Sequence, residues 1–394
     1  MIKKKPTIKD IARIAKVSTT AVSMALRDHG RIGQETRNKI LHITREVNYF
    51  PNFVARSLVM KRSQTIGLII TTIMNPFYPE LAKGIEDKAM ELGYNIILCS
   101  TNYDLKLEKH YIDMLRSKGV DGIIFSSVEV KDPNIKPLIE DRFPFILVNR
   151  NIHSRSLKKK VDFIGFDNFS AGYMAMEHLC KLGHRRIGII AGDLNTSTAV
   201  ERIKGAKKLL TDRGLAFDPN LLLVCNFSKE LAYHATQKFL SMKVPPSAIF
   251  AENDFMALGA REAVLDANLK VPEDMALIGF DDIAVSSLNG IEMTTVRQKK
   301  YDMGALAVEI LAARIEKGSP QKVKQIILEP EIIIRASCGY RLYGYQGGNG
   351  LTREGLKRRK SLASPDRINA RVKNRDASAL QESSNRREGC LFIA

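Results

Sequence analysis

Few residue pairs in this 394-residue sequence could do covalent chemistry. Cys180 and His184 stand four apart, a thiol and a base, and Asp281 and Asp282 are adjacent carboxyls that invite an acid-base role. The stretch "KLGHRRIG" around His184, however, has the pattern of a helix end and a loop before a strand. There is no G-x-G-x-x-G, no Walker loop and no nucleophile elbow, so no catalytic residues and no enzyme are expected. Cys99, Cys180, Cys225, Cys338 and Cys390 are odd in number and scattered, with no C-x-x-C pair. They offer neither a disulfide framework nor a zinc site, fit a reducing cytoplasm, and leave no metal or cofactor to expect.

Binding chemistry is better represented. Asp281 in "IGFDD" stands at the carboxyl end of an expected strand, where ligands of α/β proteins bind. Arg202 closes "STAVER", Asn253 lies in "FAEND", and Phe77 and Tyr78 in "NPFYPE" are either core residues or cleft walls. Each alone is equally consistent with an ordinary loop or core residue. The stretch "VSTTAVSMAL", Val17 to Leu26, is more unusual. It reads as a helix capped by Ser18, with Val22, Ala25 and Leu26 on one face and Thr19, Thr20 and Ser23, instead of Lys and Glu, on the other. A short, uncharged, hydrogen-bonding face suits the base edges of a DNA major groove better than it suits plain solvent.

The elements around that helix support the DNA reading. Thr7 and Asp10 form a T-x-x-D capping box before Ile8, Ile11, Ala12 and Ala15, which share a face. Gly30 and Gly33 then break the chain, and "QETRNKILHITREVNY" gives a third helix that buries Ile40, Ile43 and Val47. Two helices joined by a tight turn and backed by a third make a helix-turn-helix unit. Charge agrees: residues 1–63 hold 14 Lys/Arg against 4 Asp/Glu, residues 64–340 hold 35 against 34, and residues 341–394 hold 12 against 5. A basic unit on a neutral body is the electrostatic footprint of a polyanion partner.

From Thr65 the pattern changes. "TIGLII", "YNIILC", "VDGIIF", "FPFILVN", "VDFIGFD", "RRIGII", "LLLVC", "SAIFAE" and "MALIGFDD" are apolar runs separated by amphipathic stretches, the signature of buried parallel strands in βαβ units. The spacing Gly67, Gly84, Gly93 recurs as Gly188, Gly205, Gly214, which predicts two similar α/β halves in succession with a cleft between them. After Gly339 regular periodicity stops, and the basic segment 340–394, with "LKRRKS", reads as disorder. "MIKKKPTIKD" is followed by no apolar stretch, and no run reaches the ~18 residues of a membrane span, so neither export nor insertion is expected.

The runs "TIKDIARIAKVSTTAVSMAL", "ETRNKI", "NYFPNFVARSL", "TIGLI", "GHRRIGII" and "IGFDD" resemble the LacI/GalR family of bacterial transcription regulators, the lactose-operon repressor type, over residues 5 to about 339. The resemblance implies a helix-turn-helix domain (1–50), a hinge helix and linker (51–63), and a two-lobed periplasmic-binding-protein-like core of parallel-sheet α/β subdomains (64–339) that senses a small molecule and dimerises. It implies a homodimer on a palindromic operator in double-stranded DNA. The DNA contacts implied are Thr7, Ser18, Thr19, Thr20, Ser23, Met24 and Arg27, with Asn52, Ala55 and Leu58 in the hinge, Leu58 wedged into the minor groove. Thr19, Thr20 and Met24 fall on base-reading positions, and Met24 can meet a thymine methyl but cannot make the bidentate contact of Arg to guanine. Lys16 takes a turn position where relatives often have Gly or Asn, with some strain expected if the site is left-handed.

For the effector the resemblance implies Phe77 or Tyr78 and Phe227 as stacking rings, with Thr196, Thr198, Arg202, Asn253 and Asp281 as polar lining. Such a set suits a sugar-sized hydroxylated ring, and Thr196, near where purine-sensing relatives carry an Arg, speaks against a nucleobase. Leu351, Leu356 and Leu362 are spaced 5 and 6 apart and build no heptad seam, so a dimer and not a tetramer is expected.

Overall fold

The computed structural model describes residues 6–26, 32–49, 62–317 and 322–342. The chain divides into two compact units between Gln64 and Thr65.

The first unit is built on α1 (Ile8–Ala15), α2 (Thr19–Ala25) and α3 (Gln34–Glu46). Local chemistry sets its boundaries. Thr7 and Asp10 close a reciprocal capping box at the start of α1, and Ser18 Oγ accepts the Ala21 N–H at 3.1 Å at the start of α2. Lys16, between them, lies in the left-handed region at φ 59°, so the strain expected at this turn is present. Ile11, Ala12, Ala15, Val22, Ala25, Ile40 and Ile43 form one small core, with Ile8, Leu26 and Val47 packed at its edge.

The second unit carries two six-stranded sheets. The first lobe contains β1 (Thr65–Ile70), β2 (Asn95–Ser100), β3 (Gly122–Phe125), β4 (Phe145–Val148) and β5 (Asp162–Phe166), with helices α4 (Phe77–Glu91), α5 (Leu105–Ser117), α6 (Ile135–Glu140) and α7 (Arg155–Lys158). The second contains α8 (Asn168–Lys181), β6 (Ile187–Ala191), α9 (Ser197–Asp212), β7 (Leu222–Val224), α10 (Lys229–Leu240), β8 (Ala248–Ala251), α11 (Asp254–Asp266), β9 (Ala276–Asp281) and β10 (Thr294–Arg297). Three further elements follow: α12 (Lys300–Lys317), β11 (Gln325–Leu328) and β12 (Glu331–Ile333). The sheet orders are β11-β5-β4-β3-β1-β2 and β12-β10-β9-β8-β6-β7. Every pairing is parallel except β10 with β12.

The halves are therefore not simply successive, as the repeat suggests. The chain crosses three times: from β5 into the second lobe, back through α12 and β11, and again into β12. The short strands β10, β11 and β12 are absent from the strands expected above. "TTVR" and the half-exposed alternation of β11 and β12 lack the continuous apolar run that marks the nine others.

The glycine repeat does the same physical work in each lobe. A Cβ on Gly84 of α4 would lie 2.1 Å from the Tyr301 carbonyl oxygen of α12, and one on Gly205 of α9 would lie 2.0 Å from the Phe169 oxygen of α8. Both permit a close helix pair, and Gly93 and Gly214 then take positive φ just past the ends of α4 and α9.

Candidate functional site

Two regions collect the residues singled out in the sequence. On α2, Thr19 and Thr20 are exposed and Ser23 and Met24 half-exposed, while Val22 and Ala25 face the core. The helix carries no charged side chain, so its outer face offers only hydroxyls and a thioether. Thr7 and Ser18 are exposed but already serve as helix caps, Thr7 Oγ1 donating to Asp10 Oδ2 at 2.7 Å. Arg27, Asn52, Ala55 and Leu58, with the tail beyond residue 342, lie outside the described residues.

The second region is a narrow cleft between the lobes, at the carboxyl ends of their strands. From the second lobe it is lined by Thr198, Arg202, Phe227, Asn253 and Asp281, and from the first by Asn75, Phe77, Tyr78, Asn149 and Arg150. Seven of the eight effector residues expected from sequence thus meet in one place. The eighth, Thr196, is not part of the lining: it is buried at the start of α9, where Thr196 Oγ1 donates to the Asp193 carbonyl at 2.6 Å and caps the Ala199 N–H.

Local backbone geometry aims these side chains. Phe227 (φ 59°), Asn149 (φ 66°) and Asp281 (φ 107°) all leave their strands through positive φ, which turns a side chain out of the sheet register. Gly192, at the end of β6, leaves room for the Phe227 ring, whose nearest atom would lie 2.1 Å from a Cβ there. Asn253 caps α11 through Oδ1 (2.8 Å to Met256 N), and Asn75 Oδ1 accepts from Phe77 N at 3.0 Å. Tyr78 Oη accepts from Thr71 Oγ1 (2.7 Å) and donates to the Ser126 carbonyl (3.3 Å), which fixes its ring edge-on to Phe77.

Arg202 is fully enclosed. Its guanidinium lies 3.5 Å from the Phe280 ring centroid, Nε donates to Asn168 Oδ1 at 2.9 Å, and Nη1 donates to the Glu252 carbonyl. Desolvation pulls its pKa down against the pull of Asp281 and Glu252. Burial pushes Asp281 up to about 6, opposed by Arg202, by Lys300 and by the Gln298 amide donating to Asp281 Oδ1 at 2.6 Å. Glu252 is pushed up to about 8 by burial, and Asp254 to about 7 by burial and the nearby Asp281 charge. Asp254 accepts from Ile283 N, Ser286 Oγ and Thr295 Oγ1 and so pins the loop after β9.

Several contacts bridge the lobes over this cavity. Arg150, from the first lobe, lies 5.3 Å from the ring centroid of Phe227 of the second. Val130 N donates to the Asn195 carbonyl and Asn151 N to Ser197 Oγ, each at 2.8 Å. Lys300 Nζ donates to the Asp281 carbonyl at 2.6 Å and pairs with Glu80 of α4 at 2.9 Å. The cleft is closed.

Asn75, Asn149 and Arg150 are absent from the residues singled out in the sequence. Arg150 in "LVNRN" stands two residues past the end of β4, the same strand-end signal that marks Asp281. The pairs that invited catalysis come apart. Asp282 turns away from Asp281 into ion pairs with Arg297 and Arg335, both at 2.7 Å. His184 Nδ1 meets Ser247 Oγ at 2.9 Å, and burial pushes the Cys180 thiol up, away from the thiolate a nucleophile needs. Among the described residues no cluster of three His, Cys, Asp or Glu could hold a metal, and no helix is long and apolar enough to cross a membrane.

A basic-footprint helix-turn-helix unit with a two-lobed α/β core defines a DNA-binding regulator with a ligand-binding domain. Residues 7–52 match the family of bacterial regulatory proteins, lacI family, and residues 63–329 match the periplasmic binding proteins and sugar binding domain of LacI family. The chain belongs to the LacI family of transcriptional regulators. It is 36% identical over 336 residues to the HTH-type transcriptional regulator DegA of Bacillus subtilis (strain 168), covering 84% of this chain and 98% of the relative. It is 35% identical over 334 residues to the HTH-type transcriptional repressor PurR of Haemophilus influenzae (strain PittEE), with the same coverage. Among solved structures, the Lac repressor dimer bound to operator and the anti-inducer ONPF matches at TM-score 0.75 and 25% identity, covering 85% of this chain and 99% of that one. A LacI family regulator from Enterococcus faecium with bound ribose matches at TM-score 0.62 and 28% identity, covering 69% and 98%. These relatives are transcriptional regulators, not enzymes.

Proposed function

We propose that this regulator is a cytoplasmic repressor that binds a palindromic operator as a homodimer, with its operator affinity set by a sugar held in the interlobe cleft. One observation carries the effector half: Asn149 Oδ1 and Asn253 Nδ2 are buried in the cleft lining without a hydrogen-bond partner in the protein. Buried polar atoms are normally paired, so these two await a ligand. Asn75, Phe77, Tyr78, Arg150, Thr198, Arg202, Phe227 and Asp281 complete the lining, and the ribose held by the Enterococcus faecium relative supports a sugar as the class.

For the DNA half, Thr19, Thr20, Ser23 and Met24 are the groups available to base edges on α2. Thr7, Ser18 and Arg27 would contact the backbone, and Asn52, Ala55 and Leu58 would form the hinge. Because both lobes line the cleft, a bound ligand favours one relative placement of the lobes. Across a dimer this sets whether two recognition helices lie one DNA turn apart. A typical coupling of about 1 to 3 kcal/mol corresponds to roughly 5- to 150-fold in operator affinity.

The test is selection from a randomised duplex library by the purified chain, followed by light scattering of the complex with the winning duplex. An enriched palindrome bound by two chains is the expected result. Absence of any enriched sequence, with sugars present or absent, or a single chain on the duplex, would overturn this reading.

A further inference from the structure

The cleft uses the carboxyl edge of the first-lobe sheet, and the opposite, amino edge has no role in it. Because β1, β2, β3, β4, β5 and β11 all run parallel, the turns that lead into them lie together along that amino edge. We infer that this edge is a second DNA surface, which holds the phosphate backbone of duplex flanking the operator without reading its bases. The surface is separate from the effector cleft, and its role rests on the helix-turn-helix unit binding DNA.

The charge of the edge is local. In sheet order, exposed cations lie at Lys322 and Lys324 before β11, Lys159 and Lys160 before β5, Arg142 before β4 and Lys118 before β3. Residues 64–340 as a whole balance 35 Lys/Arg against 34 Asp/Glu, so this is an excess on one edge and not a general basicity. The carboxylates nearby are engaged with other cations: Asp162 accepts from Arg314 at 2.9 Å, Asp141 pairs with Arg116 at 2.7 Å, and Glu140 with Lys136 at 3.6 Å. Two more, Asp121 and Glu316, do not offset six exposed cations. Among the described residues none of the six pairs with a carboxylate. Like charges gathered on one edge repel one another, and a polyanion removes that cost.

The backbones that carry these cations are held in place. Gln325 Nε2 donates to the Val161 carbonyl at 2.7 Å and to the Lys158 carbonyl at 3.3 Å, which fastens the Lys-rich turn before β5 to the start of β11. Lys324 N donates to Asp162 Oδ1 at 2.8 Å, which fixes the approach to β11 as well. Neighbouring strands lie about 4.8 Å apart, so the cations from β11 to β3 extend over about 14 Å. A duplex presents one charge per about 1.7 Å of its axis, or about eight over that length. Five of the six cations are lysines, which meet phosphate as point charges and lack the fork with which Arg reads guanine, so the edge suits backbone and not bases.

Connectivity favours DNA over another polyanion. The chain enters the core at this same edge, at Thr65 of β1, after leaving α3 at Glu46. Fully extended, the chain between them spans at most about 65 Å, so the edge stays within that tether of the unit that carries α2. A second contact on a tether adds affinity through effective concentration, with no further base read. Residues 341–394 hold 12 Lys/Arg against 5 Asp/Glu, so this segment has the wrong sign to cover the edge.

The experiment measures the salt dependence of binding by the full chain on two duplexes, the selected palindrome alone and the same palindrome extended by about one and a half turns on each side. Each phosphate contact contributes about 0.9 to the slope of log affinity against log salt, so the longer duplex should steepen the slope by about 2 or more. Combining Lys159→Gln, Lys160→Gln, Lys322→Gln and Lys324→Gln should abolish that difference and weaken binding to the longer duplex by about 10-fold or more near 0.1 M salt. Binding to the short duplex and the melting temperature should stay unchanged. A control with Lys106→Gln, Lys207→Gln, Lys238→Gln and Lys270→Gln, all exposed elsewhere, should keep the difference, which separates a local surface from bulk charge. Equal slopes on the two duplexes for the unaltered chain overturn the inference, as does a difference that survives in the edge variant or vanishes equally in the control. Binding to phosphatidylglycerol vesicles that is lost in the edge variant, with duplex slopes unaltered, assigns the edge to a membrane instead. If no palindrome is selected, the operator reading fails separately, and the slopes of the unaltered chain and the edge variant on a random-sequence duplex still decide the edge.

Discussion

The two lobes of the core share a topology and a glycine repeat but present very different faces to the cleft. In the second lobe the polar groups are wired to one another. Arg202 is held by Asn168 and the Glu252 carbonyl, Asp254 by Ile283, Ser286 and Thr295, and Asp281 by Gln298. In the first lobe Asn75 and Tyr78 are fixed locally, whereas Arg150 lies on the Phe227 ring across the cleft and Asn149 Oδ1 has no partner. The second lobe is a preorganised seat, and the first closes over it. Preorganisation lowers the ordering cost of binding, so the seat should dominate affinity and the closing lobe should dominate the response to ligand.

The largest break in that comparison should be Arg202→Met. It strands Asn168, the Glu252 carbonyl and the Asp281 carboxyl, and should destabilise the core by about 3 kcal/mol or more, with ligand binding abolished. Chemical denaturation with calorimetry checks both effects, and wild-type stability in the variant would show that the seat is not a wired unit. Gly192→Ala should come next. Its Cβ would overlap the Phe227 ring, costing about 1 to 3 kcal/mol and removing one wall of the cleft.

The pH dependence of stability reports on buried carboxyls in both lobes. Glu252, Asp254 and Asp281 of the second lobe, and Asp132 of the first, have pKa values raised to about 8, 7, 6 and 8, chiefly by burial. Such groups bind more protons folded than unfolded between their ordinary values near 4 and these raised ones, so stability is greatest below about 4, falls as pH rises through about 4 to 8, and levels off above. The melting temperature of the unliganded chain should therefore drop between pH 5.5 and 8.5, and Glu252→Gln should flatten the slope. Ligand affinity should run the other way around Asp281. If a hydroxyl donates to its ionised carboxylate, binding strengthens as pH rises through about 6, and affinity that is flat from pH 5 to 7 would remove Asp281 from the contact set. The smallest effect should be Ser18→Ala in the first unit, about 1 kcal/mol from the lost cap of α2, with ligand affinity in the core unchanged.

The sequence by itself determined what is local. The α2 cap, the capping box of Thr7 with Asp10, the uncharged face of Thr19 and Thr20, and nine apolar strands are set by spacings of a few residues, and all are present in the structure. The glycine repeat is equally readable, because a helix pair at backbone contact needs the same residue in each lobe. Tertiary structure decided the rest. Nothing near Asn149 or Arg150 in the chain announces Phe227, and nothing around Gln298 announces Asp281; three crossings between lobes bring them together. Thr196 and Thr198 are two residues apart and look alike in sequence, yet one caps α9 and the other faces the cavity. The physical reason is that a helix cap or strand face is chosen by its neighbours in the chain, whereas a binding site is chosen by which strand ends the fold sets opposite one another.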